Sequence, residues 1–96
     1  MGKFWNNLYS SGNREIFSET HIYFTLKEKS SVTLEIFDIL GRKIKSLIKE
    51  EEMDAGLRKT VWDATDSNGK KVSSGIYIYR IKANEYISSM KMLLLK

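Results

Sequence analysis

Apolar and polar residues alternate along most of this chain, and that alternation is the feature that most limits its fold. Ile22, Phe24 and Leu26 occupy every second position of the first such stretch, and the same pattern returns over residues 32–36. A period of two places the apolar side chains on one face of a half-buried strand, whereas an amphipathic helix needs a period near 3.6. No convincing helical pattern is present, so we expect a protein built from strands.

Four further strands are predicted at intervals of about ten residues. Residues 44–48 form the third strand, and a slip in their spacing from two to three indicates a β-bulge. Residues 49–55 carry three consecutive glutamates and are predicted to be an exposed loop. The remaining strands are predicted over residues 57–62, 72–83 and 86–95. Short turns between strands favour an antiparallel β-sandwich.

The chain is predicted to hold one domain, residues 20–96, after a polar segment of residues 1–19. That segment is interpreted as a linker or N-terminal extension, and its aromatic residues leave a docking segment as the alternative. The sequence has no cysteine, which excludes disulfides and thiolate metal sites. Its longest apolar run, Met92–Leu95, is too short for a transmembrane segment.

The formal net charge of +4 favours anionic surfaces without selecting one. A single-stranded nucleic acid site needs aromatic and basic residues on the same sheet face. Here Tyr77 and Tyr79 fall on one face of the predicted strand, whereas Arg80 and Lys82 fall on the opposite face. We therefore expect core tyrosines and no nucleic acid partner.

Asp63, Asp66, Asn68 and Gly69 lie close enough in sequence to suggest a calcium loop. An EF-hand register with Gly69 at its sixth position lacks the acidic residues required at the first and twelfth. Asp-Ser-Asn-Gly is also the composition of a tight turn, because Asx side chains bond nearby backbone groups. A turn is therefore predicted, with a weak calcium site at Asp63, Asp66 and Asn68 as the alternative, and no cofactor is expected.

The arrangement of Ser, His and acidic residues in the sequence does not support a catalytic site. Nucleophilic mechanisms need Ser or Cys beside a histidine that a carboxylate orients, and His21, the only histidine, falls on the outward parity of the first strand. We interpret His21 as a surface residue. The sequence predicts neither catalytic residues nor an enzyme.

Three stretches, "LEIFDILGRKIKSL", "AGLRKTVWDATDSNGKKVSSGIYIYRIKA" and "SSMKMLLLK", support a specific comparison. Over residues 20–96 the chain resembles the Ig-like module of the flagellar hook cap family and of type IX secretion C-terminal sorting domains. The resemblance implies an all-β, Ig-like antiparallel β-sandwich of six to seven strands. The residues that match the family pattern are Asp38, Gly41, Arg42, Ala55, Gly56, Trp62, Asp63, Asn68, Gly69, Ser74, Gly75, Tyr77, Lys91 and Lys96.

The resemblance implies structural roles for the motif. Trp62 would fill the space between the two sheets, and Asp63 and Asp66 would cap the turn backbone. Gly69 would provide the chain reversal. Gly75 would let the next strand pass close to its neighbour.

Of the two families, the terminal "KMLLLK" favours the type IX C-terminal sorting domains over the hook cap family. It implies a non-catalytic C-terminal sorting module of a larger exported bacterial protein, located at the cell surface or secreted. Secretion machinery at the outer membrane would recognise it by strand addition. The candidate recognition residues are Lys91, Met92, Leu93, Leu94, Leu95 and Lys96.

The alternative is a permanent structural or adhesive Ig-like accessory domain, as in hook cap assembly or in a surface enzyme. The expected partners are secretion or assembly proteins and the parent cargo protein. Exposed sheet edges would also allow a homodimer.

Overall fold

The computed structural model describes residues 5–6 and 20–95, which form seven strands and, within those ranges, no helix. The first sheet has the order β1-β2-β5 and the second has the order β4-β3-β6-β7, with every neighbouring pair antiparallel. The predicted all-β sandwich is therefore confirmed. The strands are β1 Trp5–Asn6, β2 Thr20–Leu26, β3 Ser30–Asp38, β4 Lys43–Met53, β5 Gly56–Trp62, β6 Gly75–Ala83 and β7 Tyr86–Leu94.

The core lies between the two sheets and uses the alternating residues that the sequence singled out. Burial of each large apolar side chain contributes about 1.5–3 kcal/mol relative to its exposure, which is why the inward parity is so consistent. The predicted core faces of β2, β3 and β6 are confirmed. The buried apolar residues are Ile22, Phe24, Leu26, Val32, Leu34, Ile36, Ile48, Trp62, Ala64, Tyr77, Tyr79, Ile81, Met92 and Leu94.

The fourth strand corrects one prediction and confirms another. Residues 49–53 are not a loop, because β4 continues to Met53, pairing Glu51 with Val32 and Glu52 with Ser31. The glutamate side chains stay in solvent while the backbone pairs with β3, so a charge run is compatible with an edge strand. Three register shifts between β3 and β4 confirm the predicted irregularity.

The last two strands form the most regular ladder in the second sheet. β6 begins at Gly75, not at Val72 as predicted, because the Val72 N–H donates to the Ala64 carbonyl at 2.9 Å and holds that segment beside the loop after β5. β6 and β7 then pair over nine residues without a register shift. On β7, Met92 and Leu94 point into the core, whereas Tyr86, which has the same parity, lies beyond the core and is exposed.

The predicted extension, residues 1–19, lies outside the described residues apart from β1, which pairs Trp5 with Tyr23 of β2. The boundary at residue 20 therefore stays a prediction. Within the described ranges, nothing forms a helix long and apolar enough to cross a membrane.

Candidate interaction surface

Asp38 closes the turn between β3 and β4. Its carboxylate Oδ1 accepts the N–H groups of Leu40 and Arg42, each at 2.9 Å. Asp38 donates its own N–H to the Arg42 carbonyl at 2.9 Å, and Gly41 donates to the Asp38 carbonyl at 3.0 Å. Nε of Arg42 lies 2.8 Å from Oδ2. The hydrogen bond from the Arg42 N–H, supported by its side chain, lowers the pKa of the Asp38 carboxyl against a smaller opposing effect of burial.

Asp66 closes the turn at residues 66–70 with the same set of bonds. Its Oδ1 accepts the N–H groups of Asn68 at 2.9 Å and Lys70 at 3.0 Å. The Asp66 N–H donates to the Lys70 carbonyl, and the Gly69 N–H donates to the Asp66 carbonyl, both at 2.9 Å. One carboxylate oxygen is therefore engaged by the turn backbone, the arrangement that the tight-turn interpretation requires.

Trp62 fastens this second turn to the core. Its indole is fully buried, and Nε1 donates to the Thr65 carbonyl at 2.9 Å, one residue before Asp66. The ring meets that of Tyr77 edge-on, with centroids 5.2 Å apart and an interplanar angle of 68°. Trp62 thus bridges β5 of one sheet and β6 of the other, as the resemblance implied.

Asp63 lies beside Thr65, and its carboxylate interacts with the Thr65 backbone N–H, one residue before the 66–70 turn, and not with the backbone of the turn itself. Its Oδ1 accepts the Thr65 hydroxyl, which in turn accepts Nζ of Lys45 at 2.7 Å. Nζ of Lys45 lies 3.7 Å from Oδ1 of Asp63. The hydrogen bond from the Thr65 hydroxyl, the charges of Lys45 and Lys71 and the bond from the Thr65 N–H together outweigh partial burial and lower the Asp63 pKa.

The metal alternative gains no geometric support in the described part of the chain. No group of three or more His, Asp or Glu side chains there lies close enough together to hold an ion. His21, on the outward parity of β2 opposite Val61, is half-buried rather than fully exposed.

The remaining motif residues lie at strand ends. Gly56 opens β5 opposite Leu26, and Ser74 precedes β6. The predicted close approach at Gly75 is wrong, because a Cβ atom added there would meet no heavy atom within 4 Å. Its φ of +154° is the feature that favours glycine.

The outer face of the four-stranded sheet divides into a charged middle and an apolar end. In the middle, Glu35 accepts Arg80 Nη2 at 2.9 Å and Lys43 Nζ at 3.3 Å. Partial burial raises the pKa of Glu35, but these two cations outweigh it and hold the pKa below its ordinary value. The Arg80 guanidinium also covers the Phe37 ring, 4.8 Å from its centroid.

Beyond Phe37 lies what we call the apolar end, which consists of Phe37, Ile39, Ile76, Ile78 and Leu93. Phe37 faces Ile78 across β3 and β6, and Ile76 faces Leu93 across β6 and β7. Ile39 lies in the turn that follows, with 60% of its surface exposed, and Ile76 and Leu93 are 41% and 45% exposed. Adjacent exposed apolar side chains on one sheet face are a typical feature of contact surfaces.

The recognition candidates at the chain end separate into two sets. Met92 and Leu94 point into the core and are unavailable to a partner of the folded domain, which corrects that part of the prediction. Lys91, Leu93 and Leu95 are exposed, and Lys96 lies outside the described residues.

Comparison with known protein families identifies the family of this chain. The model of the FlgD Ig-like domain family matches residues 9–86. The chain belongs to this family. The FlgD Ig-like match supports the flagellar hook cap part of the resemblance and does not extend to the type IX sorting domains.

A solved structure agrees with the FlgD Ig-like assignment at the level of fold. The crystal structure of FlgD from P. aeruginosa superposes with a TM-score of 0.64 at 21% sequence identity. The match covers 80% of this chain and 61% of that chain, so this chain spans about three fifths of the protein it resembles. A comparison with curated protein sequences finds no match.

Most of this apolar surface escaped the sequence reasoning, in which Leu93 is the one member of the apolar end among the recognition candidates. Ile39 and Leu40 form the exposed tip of the first turn, with Leu40 at 74% exposure. The signal was present, because Asp38 to Arg42 and Asp66 to Lys70 share the pattern Asp-x-x-Gly-Arg/Lys. Aligning the two turns would have separated the residues that build the turn from the two apolar residues at its tip.

Proposed function

We propose that this domain is a permanent, non-catalytic structural module of a protein that assembles outside the cytoplasm. The observation that carries the proposal is the match of residues 9–86 to the FlgD Ig-like domain family. In this proposal its partners are the other domains of its parent protein and neighbouring subunits of a flagellar hook cap type of assembly. It supplies a rigid two-sheet body and a contact face.

The apolar end is the contact face in this proposal. Ile39 of the apolar end and its neighbour Leu40 stand in solvent at a turn, and Ile76 and Leu93 continue the apolar surface along the sheet. Removing such side chains from water contributes about 25 cal/mol per Å² of apolar area, so a partner that covers them gains binding energy. The adjacent Glu35, Arg80 and Lys43 cluster forms a polar rim.

The second candidate is the processed sorting module of an exported cargo protein. It is favoured by the sequence resemblance and by the exposure of β7, whose residues Lys91 and Leu93 face solvent. Strand addition to that edge would be the means of recognition. The two candidates differ in the fate of the segment, since a sorting module is removed on export and a structural module is retained.

Immunoblotting and mass spectrometry of whole-cell, surface and culture fractions from the source cells would decide between them. We expect peptides from residues 20–95 to persist in the assembled or surface form. Their presence in the precursor and absence outside the cell would contradict the structural proposal and favour the sorting module. A parent protein that stays in the cytoplasm would contradict both.

A second experiment tests the contact face itself. Ile76→Asp in the parent protein should abolish its incorporation into the assembly while leaving the domain folded. Leu57→Asp is the matched control, because Leu57 is an exposed apolar residue on the other sheet. Equal loss of incorporation in both variants would contradict the assignment of the contact to the apolar end.

A further inference from the structure

We infer that two copies of this domain pair through β7 and form one continuous eight-stranded sheet, with Met90 of each copy on the two-fold axis. The inference goes beyond the proposed function and does not depend on it. Two observations support it: the edge strands differ in how well they are protected, and two antiparallel copies of β7 have compatible side chains.

The edges differ in how far they are protected against pairing. β4 carries Glu50, Glu51 and Glu52, has three register shifts against β3, and places Glu50 at a φ of +43°. Charges and bulges of this kind are how sheet proteins block edge-to-edge association. β7 has one charged residue, Lys91, in nine, and its ladder with β6 is unbroken. In the described part of the chain β7 pairs with no other strand.

The edge strand of the other sheet is unsuited to self-pairing. β5 runs from Gly56 to Trp62, so a full antiparallel overlap of two copies is centred on Lys59. That register sets Lys59 against the Lys59 of the second copy, and like charges directly opposite one another are destabilising. β1, at the other edge of that sheet, has two residues.

Two copies of β7 can pair antiparallel along their whole length without bringing like charges together. The midpoint of Tyr86–Leu94 is Met90, so full antiparallel overlap pairs residues whose numbers lie equally far from Met90. On the outer face, Ile87 then meets Leu93 of the second copy, and Ser89 meets Lys91. Each dimer gains two apolar pairs, and no charge faces a like charge. Moving the centre to Lys91 sets Lys91 against Lys91, and moving it to Ser89 sets Ile87 against Lys91 and loses both apolar pairs. Both shifts also shorten the overlap, so the Met90-centred register is favoured.

The outer-face side chains of the two copies remain on the same side, because residues opposite each other in an antiparallel pair point to one face. The nine-residue overlap supplies about eight to ten main-chain hydrogen bonds, since each hydrogen-bonded residue pair exchanges two. Ile87 and Leu93, both about half exposed in the single domain, become covered. Backbone bonding thus provides affinity, and the apolar pairs provide the register.

Sedimentation velocity of the full 96-residue chain over about 10 µM to 1 mM tests the inference. We expect a reversible shift from the 11.1 kDa monomer to twice that mass. A species that stays monomeric at about 1 mM would overturn the inference.

Two matched pairs of variants test the edge and the register. Leu93→Lys removes both apolar pairs and should weaken the dimer about tenfold, whereas Leu57→Lys on the other sheet should not change it. Ser89→Glu sets a carboxylate against Lys91 of the second copy and should tighten the dimer about fivefold; Ser89→Lys should weaken it by a similar factor.

The Ser89 pair keeps the test decisive if Leu93→Lys fails to fold, because one of its members strengthens association. A dimer that is indifferent to the sign of the charge at residue 89 would overturn the inferred register. A dimer disrupted by Leu57→Lys would overturn the assignment to β7. Either failure leaves the family relationship and the proposed function unaffected.

Discussion

The turns at residues 38–42 and 66–70 share one pattern of hydrogen bonds but differ in the residues at their tips. In each, an aspartate Oδ1 accepts two backbone N–H groups, and a glycine with a φ of +87° or +82° completes the reversal. The second turn is tied to the body, because Ser67 donates its N–H and hydroxyl to the Ile44 carbonyl at 3.0 and 3.1 Å. The first turn carries exposed Ile39 and Leu40 at the corresponding positions.

This difference separates residues that build a turn from residues that use it. Ser67 and Asn68 show that polar residues satisfy the backbone geometry fully. Ile39 and Leu40 are therefore not required for the first turn to form, and their exposure has no intramolecular benefit. In the proposed function the first turn is therefore a contact element, whereas the second is a structural connection.

Loss of the anchor behind the second turn should have the largest effect on stability. Trp62→Ala removes a fully buried indole and leaves the Thr65 carbonyl without the Nε1 donor, at a cost of about 3–5 kcal/mol in unfolding free energy. Trp62→Phe, which keeps an aromatic ring, should cost less. Urea denaturation measures both, and an alanine variant within 1 kcal/mol of the parent, as a rough threshold, would contradict the anchoring role.

The two turn glycines should respond equally to substitution. Gly41→Ala and Gly69→Ala each force a residue with a Cβ atom into a left-handed conformation, at about 1–2 kcal/mol. Neither site has an atom within 4 Å of the added Cβ, so the cost is conformational and not steric. Thermal unfolding with calorimetry compares the variants. A much larger loss at Gly69 would show that anchoring to the body, rather than turn geometry, determines the cost.

Asp38→Asn should change how stability depends on pH. The Asp38 pKa is lowered in the folded state, chiefly by the Arg42 N–H, so its ionised form favours folding. That contribution is present above the unfolded pKa of about 3.9 and is lost as pH falls through the lower folded pKa.

The parent should therefore be more stable than Asp38→Asn at neutral pH, and the difference should disappear by about pH 2. Denaturation midpoints measured from pH 7 to pH 2 test this expectation. Asp54→Asn makes the same change of net charge outside both turns and serves as the control. A difference that grows as the pH falls would reverse the assigned sign.

The smallest effect on stability is expected at the tip of the first turn. Ile39→Ser combined with Leu40→Asn makes this tip resemble the second turn and should change the unfolding free energy by less than about 0.5 kcal/mol. Co-purification of the parent protein with its assembly should nevertheless be lost. Leu57→Ser, at an exposed position of the other sheet, should leave assembly intact. Unchanged assembly in the tip variant would remove the distinction between the two turns.

Much of this fold could be predicted because burial and backbone geometry produce recognisable patterns in short stretches of sequence. The alternation at residues 22–26 and 32–36 specifies inward faces, and Trp62 was correctly assigned to the core. The errors fall where local composition and tertiary pairing disagree. Residues 49–53 are charged enough to indicate a loop, but an edge strand needs partners on one side only.

Less of the interaction surface could be predicted from the sequence. Met92 and Leu94 were grouped with Leu93 because the apolar run is continuous, although the strand sends alternate side chains to opposite faces. Proximity in sequence assigns Asp63 to the turn, whereas its side-chain partners Thr65 and Lys45 come from the loop before the turn and from a distant strand. The apolar end combines three strands and a turn, so no single stretch of sequence displays it.

The separation of β2 and β7 into different sheets determines how the domain bears mechanical load. No ladder of main-chain hydrogen bonds joins Thr20 to Leu94 directly, because their strands belong to separate sheets. Tension applied between these two residues must cross the layer between the sheets, where the Trp62 and Tyr77 rings meet and where Lys45 bonds Thr65. We therefore expect resistance to stretching to depend on side-chain packing across the sandwich as well as on main-chain pairing.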